Sequence, residues 1–349
     1  MKAEIKISGR RIGAGHPCYI IAELSANHGQ SYEKALEVVH AAKDAGADAI
    51  KLQTYTADTL TIDCRRPEFI VGKGTLWEGK NLHDLYAEAY TPWEWQPELK
   101  KEAEHMGLHC FSTPFDDTAV DFLEGMNVPA HKIASFELVD TELLKKVAAT
   151  GKPVIMSTGM ASFEEIEEGV VTLRANGCTQ LALLKCTSAY PSLPEEMNLR
   201  TIPHLAESFG VPVGLSDHTL GVAVPVAAVA LGACVIEKHL TVRRSDGGPD
   251  GAFSLEPDEF RTMVDAVRTA EKSFGKVSYE VNGKETASRL FRRSLFVVQD
   301  VRKGEVFTRA NVRSIRPGYG LPVKELDNVL GRTAKSDIIR GTPLSLGHF

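Results

Sequence analysis

The sequence predicts a (β/α)8 TIM barrel followed by a small C-terminal β-rich domain, and three observations carry that reading. Eight short apolar runs, rich in β-branched residues, recur between residues 19 and 239. Each is followed by helical periodicity across a short connection, which favours a closed parallel barrel over an open doubly wound sheet. Beyond Gly275 the pattern changes to a polar linker and then to very short strands broken by Gly and Pro.

The candidate strands are 19–24 (YIIAEL), 48–54 (DAIKLQT), 108–113 (LHCFST), 131–135 (HKIAS), 153–158 (PVIMST), 181–186 (LALLKC), 211–216 (VPVGLS) and 234–239 (CVIEKH). The helices between them have legible ends. Ser31 caps a helix whose Ala35, Val38, Val39 and Ala42 share one face, and Gly46 suits its stop. Ser162 and Glu165 have capping-box spacing ahead of Ile166 and Val170. A helix over 260–274 ends at Gly275. No G-x-G-x-x-G turn follows the first strand, so a dinucleotide fold is not expected.

Roughly fifty residues separate the second and third strands, where a whole βαβ unit usually takes ~30. That insertion, which includes GKGTLWEGKNLHDLYAEAYTPWEW, is a candidate lid or substrate wall. The expected organisation is a barrel over 1–275, a linker over 276–290 and a small domain over 291–349.

The net charge of -6 is spread along 349 residues without a basic block, so nucleic acid is not an expected partner. The N-terminus lacks an apolar core of signal-peptide type, and the longest apolar stretch, Val222 to Ile236, contains a proline and is too short to span a bilayer. No membrane partner is expected, and the expected location is cytoplasmic. The cysteines form no C-x-x-C pair and read as reduced core residues.

In such a barrel, chemistry sits at the C-terminal ends of the strands. Those positions read Glu23; Lys51 and Gln53; Ser112 and Thr113; Lys132 and Ser135; Ser157 and Thr158; Lys185 and Ser188; Ser216, Asp217 and His218; Glu237 and His239. Polar residues normally begin where strands end, which accounts for a single Ser or Thr. It does not account for three lysines, two histidines and two glutamates on one rim.

Lys51 with Gln53, Ser216 with His218, and Glu237 with His239 are two apart and share a face. Closure makes the eighth strand a neighbour of the first, so His218, His239 and Glu23 come from contiguous strands. They read as a site for one divalent metal, with the carboxylate alongside and open positions for substrate. The simpler alternative is that each histidine bonds a neighbouring loop. On the other arc, Lys51, Lys132 and Lys185 with Ser135, Ser157 and Ser188 suit a small multiply charged anion such as a phosphorylated carboxylate. The alternative for each lysine is a neighbouring carboxylate. Asp250, after Gly247 and Gly248, is a candidate hydroxyl acceptor, with a plain turn as the alternative.

The ordered segments IAELSANH, AIKLQTYT, FSTPFD, KIASFE, STGM, LLKCTSAYP, GLSDHT, IEKHL, GGPD and RPGYGL resemble the nonulosonic acid synthases, the sialic acid synthase family, over nearly the whole chain. The insertion and LLKCTSAYP are similar to the pseudaminic branch of that family. The resemblance implies a metal-dependent condensation of phosphoenolpyruvate with an N-acetylated amino sugar in its open aldehyde form, releasing phosphate and yielding a nine-carbon α-keto acid. For that branch the sugar is 2,4-diacetamido-2,4,6-trideoxy-L-altrose. The resemblance further implies Mn²⁺ or Mg²⁺ on His218 and His239, with Glu23 handling the proton of a metal-associated water or a sugar hydroxyl. It implies phosphoenolpyruvate on Lys51, Thr113, Lys132, Ser135, Ser157, Ser188 and Ser216, and the sugar on Gln53, Tyr190 and Asp250. The C-terminal part resembles the antifreeze-like (SAF) domain. The arginine of that domain, Arg316 here, reaches the sugar's acyl group in the partner subunit's barrel, which implies a domain-swapped homodimer.

N-acetylneuraminate synthases typically read HCTNxYP where this chain has KCTSAYP, so Lys185 and Ser188 stand in place of His and Asn. That counts against N-acetylmannosamine. The alternative within the family is an N-acetylneuraminate or legionaminic acid synthase acting on another N-acetylated hexose. From another class comes a Schiff-base aldolase, with Lys132 or Lys185 attacking a keto acid. Outside catalysis, the C-terminal domain would bind ice or carbohydrate on an inert barrel.

Overall fold

The eight apolar runs close into a parallel barrel because each presents alternate side chains to two apolar environments, the barrel interior and the helical ring. A computed structural model of the chain describes residues 3–349. Two short strands, β1 (Glu4–Ile7) and β2 (Arg10–Gly13), precede the barrel strands β3 (Tyr19–Glu23), β4 (Ala49–Thr54), β5 (His109–Pro114), β6 (His131–Ile133), β7 (Val154–Ser157), β8 (Leu181–Cys186), β9 (Val213–Asp217) and β10 (Val235–His239). All eight expected strands are present within two residues of their expected bounds. The barrel closes in the order β10-β3-β4-β5-β6-β7-β8-β9, so β10 and β3 are hydrogen-bonded neighbours.

Tyr19, Ile21, Ala49, Phe111, Ile155, Ala182, Leu184 and Val235 fill the lower interior, while Ile20, Ile50, Leu52, Met156, Leu183, Leu215 and Ile236 pack outward on the helices. The interior cluster takes in Ile5, Ile7 and Ile12 from β1 and β2. These two strands form an antiparallel hairpin turned at Ser8 and Gly9, both at positive φ (45° and 85°), the geometry of a type I′ turn. The sequence reading had no expectation for this hairpin.

The helix ends follow the expected caps. Ser31 accepts from the Lys34 amide, and Ser162 and Glu165 form a reciprocal capping box. The helix Pro257–Phe274 starts three residues before its expected first turn, because Glu256 and Glu259 cap it and Pro257 occupies a position that needs no N–H. The insertion forms the helices Ala57–Leu60 and Leu82–Ala89 ahead of Gln96–His105. It is tied to the loop after β3: Gln30 Nε2 donates to the carbonyls of Glu88 and Tyr90, and buried His28 contacts Thr91 Oγ1 at 3.2 Å.

Residues Lys276–Phe349 form a second compact unit, apart from Met1–Gly275. Its sheet is a pair, β11 (Ser294–Val297) with β12 (Val312–Ile315), extended by single bridges such as Val301 to Ile338. Leu295, Val297, Phe307, Val312, Val329 and Leu344 make its core. The stretch 276–290 is largely exposed and carries a short capped helix, Gly283–Ser288, that its polar composition did not suggest. Among the described residues no helix is long and apolar enough to cross a membrane.

Candidate active site

Above the apolar floor, the inward positions of the strands turn polar and converge on Glu237. Lys51 Nζ lies 2.8 Å from Glu23 Oε2 and 3.0 Å from Glu237 Oε1. Lys132 Nζ is 3.6 Å from Glu237 Oε1, and donates to Ser157 Oγ at 2.7 Å and to the Ile133 carbonyl at 3.0 Å. Ser216 donates to the same Glu237 oxygen at 3.1 Å, placed there by the register that sets Ser216 opposite Glu237. Two of the three lysines therefore do have carboxylate neighbours. Burial alone would raise the Glu237 carboxyl, but Lys132 and Lys51 override it and hold the group well below its ordinary value. Burial presses the Lys51 ammonium down to about 7, against the opposing pull of Glu237. The sequence reading placed Glu237 on the shared face with His239 but assigned it no role.

His218 and His239 come together as expected, with ring centroids 5.4 Å apart. His218 Nδ1 donates to the Thr187 carbonyl at 2.9 Å, which leaves Nε2 as the nitrogen that can serve as a ligand once deprotonated. Burial presses the ring's pKa down, but Cys186 and the Thr187 carbonyl override it and raise it. His239 Nδ1 is buried without a hydrogen-bond partner, and burial together with nearby His218 keeps that imidazole neutral, the ligating form. Both rings thus fit a divalent cation. Glu23 does not join them: its carboxylate turns to Lys51 and to Gln53 Nε2 (3.2 Å). Among the described residues no three His, Cys, Asp or Glu side chains group around one point. Remaining ligands would be oxygens of water or substrate, in place of the carboxylate expected alongside.

The hydroxyl arc is crowded around Gly159. Its amide donates to Ser135 Oγ at 3.0 Å, and a Cβ at this position would collide with Ser188 Oγ and lie 2.8 Å from Ser135 Oγ. Thr113 Oγ1 is buried inside β5 with no partner, an unused donor at the same mouth. Lys185 departs from expectation. Ala182 and Leu184 of β8 face inward, so Lys185 faces outward, where its ammonium donates to the Cys186 carbonyl (2.7 Å) and Thr187 Oγ1 (3.1 Å). Cys186 takes the inward place, 3.7 Å from Ser188 Oγ and 4.0 Å from His218 Nδ1. Of the two departures read in KCTSAYP, only Ser188 reaches the mouth.

On the β3 side, Gln53 Nε2 donates to Ser25 Oγ at 3.0 Å, and Ser25 in turn donates to Asp250. Burial raises the Asp250 carboxyl, with that hydroxyl opposing. Tyr190 packs 4.3 Å from the His218 ring. Glu137, in the loop after β6, escaped the sequence reading because no strand period reaches it. Its Oε2 is buried without a partner, and burial pushes the carboxyl up to about 7 against the pull of Lys132.

In the second unit, Arg316 is exposed on a loop pinned from below: Ser294 Oγ donates to the Pro317 carbonyl at 2.7 Å and accepts from the Gly320 amide at 2.9 Å. Gly320 tolerates no side chain, since a Cβ there would collide with the Leu295 carbonyl.

Fold and site together define a (β/α)8-barrel enzyme whose mouth sets a lysine and hydroxyl pocket beside a pair of imidazoles. Residues 38–279 match the NeuB family and residues 292–349 match the SAF domain, and the chain belongs to the NeuB family. It is 46% identical to the pseudaminic acid synthase of Campylobacter jejuni over 95% of this chain and 96% of that protein. It is 44% identical to the pseudaminic acid synthase of Helicobacter pylori over 94% and 97%. The solved structure of N-acetylneuraminic acid synthetase from Leptospira borgpetersenii, in complex with citrate, superposes with a TM-score of 0.73 at 33% identity, covering 82% of this chain and 95% of that one.

Proposed function

We propose that the protein acts as a pseudaminic acid synthase, condensing phosphoenolpyruvate with 2,4-diacetamido-2,4,6-trideoxy-L-altrose. The observation that carries the reaction class is the adjacency, within one barrel mouth, of the Lys51–Glu237–Lys132 cluster and the His218–His239 pair. The two pseudaminic acid synthases at 46% and 44% identity support the choice of sugar.

Lys51, Lys132, Ser135, Ser157, Ser188 and Ser216 hold the phosphate and carboxylate of phosphoenolpyruvate, and Thr113 supplies its unused hydroxyl. The enol carbon attacks the aldehyde carbon, water adds at the neighbouring carbon, and phosphate leaves as that carbon becomes the keto group. Gln53, Tyr190 and Asp250 orient the sugar so that its aldehyde meets the enol face. Glu23 takes the proton of a sugar hydroxyl or of water during the addition. A divalent cation, Mn²⁺ or Mg²⁺, on His218 and His239 supplies Lewis-acid polarisation of the aldehyde when bound. A homodimer in which Arg316 reaches the sugar's acyl group in the partner subunit's barrel completes the proposal.

The product identifies the reaction. Incubation with both substrates and Mn²⁺ is expected to yield the nine-carbon keto acid and phosphate in equal amounts. A borohydride-trapped pyruvate adduct on a lysine would replace this reading with Schiff-base chemistry.

A further inference from the structure

The insertion between β4 and β5 places one aromatic residue at the site. Trp77 stacks at a tilt on Tyr190, with centroids 5.6 Å apart, and its Nε1 donates to the Pro249 carbonyl at 3.0 Å. It is half-buried in a stretch whose other residues, from Gly72 to Lys80, are exposed. Tyr190 continues the apolar surface to Phe253 at 5.0 Å, and Phe253 packs on His239 at 5.0 Å. A wall of three aromatic rings therefore runs along one side of the imidazole pair. Gln53, Ser25 and Asp250 supply polar groups to the same mouth.

Because the Trp77 N–H is already satisfied by Pro249, the indole has no donor left for a ligand. Its face offers dispersion and C–H contact, and a hydroxyl set against it would lose its water without gaining a partner. A sugar in this mouth is thus recognised as an amphipathic object, polar towards Asp250 and apolar towards Trp77. On the reading of the preceding subsection, the substrate carries a methyl group at C6 where an ordinary hexose carries a hydroxyl. We propose that Trp77 is a specificity-determining residue: with Tyr190 it forms the apolar wall of the sugar subsite and selects the 6-deoxy sugar over its 6-hydroxy counterpart.

The test compares kcat/KM for 2,4-diacetamido-2,4,6-trideoxy-L-altrose and the same sugar bearing a 6-hydroxyl, in the wild-type protein, Trp77→Ala and Trp77→Phe. The wild type is expected to prefer the deoxy sugar by about ten- to a hundredfold, the range an apolar pocket can enforce against an added hydroxyl. Trp77→Ala is expected to bring the preference to within about threefold with KM for phosphoenolpyruvate unchanged, and Trp77→Phe to retain most of it. An unchanged preference in Trp77→Ala, or equal loss in the Ala and Phe variants, would overturn the assignment while leaving the proposed reaction standing. A wild-type protein that uses neither diacetamido sugar but turns over N-acetylmannosamine would overturn both.

Discussion

Lys238 and Asp217 form a buried ion pair at 2.5 Å on the outer side of β10 and β9, directly behind the strand ends that carry His239 and His218. Lys238 also donates to the Thr219 carbonyl, while the Thr219 amide and hydroxyl donate to Asp217 Oδ1 at 2.9 and 2.8 Å. Both chain neighbours of His218 are therefore held from outside the barrel. Replacing Lys238 by Met leaves the Asp217 charge buried and unpaired. The expected cost is about 3–5 kcal/mol of stability, with Mn²⁺ affinity weakened about 10–100-fold as the imidazole loses its fixed position. Denaturation midpoints and Mn²⁺ titration on the folded variant check this. Unaltered Mn²⁺ affinity would make the pair a stabilising contact only.

Gly159→Ala tests the hydroxyl arc. The added methyl group must displace Ser188 Oγ and Ser135 Oγ, both of which can rotate away at little cost to the fold. KM for phosphoenolpyruvate is expected to rise about tenfold or more while stability changes by less than about 1 kcal/mol. A variant with wild-type KM would remove these serines from the anion pocket.

Glu137 gives stability a pH dependence of known sign. The folded protein holds its proton up to about pH 7, whereas the ordinary carboxyl releases it near 4.5. Stability from this group is fully present below the lower value and is lost as pH rises through the upper one. Relative to wild type, Glu137→Gln should therefore gain about 1–3 kcal/mol between about pH 5 and about pH 8. Urea midpoints across that range measure it, and parallel curves for the two proteins would contradict it.

Arg316→Ala is expected to raise KM for the sugar more than KM for phosphoenolpyruvate, since the proposed contact is to the acyl group. Steady-state kinetics with each substrate varied in turn decide this, and an equal rise in both would argue against the contact.

The barrel was legible because its eight runs are bounded by clear caps and glycine stops, and because period-two spacing identifies which side chains share a face. That spacing placed His218 and His239 on one wall and Lys51 beside Gln53. It was applied too loosely at strand ends where two polar residues adjoin. Ser112, Thr158, Asp217 and Lys185 stood among the rim residues, yet each follows or precedes an inward neighbour and faces the helices. Counting from Ala182 and Leu184 would have sent Lys185 outward and Cys186 inward. Glu137 and Trp77 were beyond this kind of reading, because both sit on loops whose paths are set by tertiary packing. The N-terminal hairpin was missed for a different reason: four-residue strands such as EIKI give too short an alternation to separate from a polar leader.

The most direct measurement is phosphate release from phosphoenolpyruvate in the presence of Mn²⁺, with the altrose-configured diacetamido sugar and N-acetylmannosamine assayed in parallel. Release with the altrose sugar alone is the expected result. Release with N-acetylmannosamine alone would keep the barrel and its condensation chemistry but contradict the pseudaminic assignment.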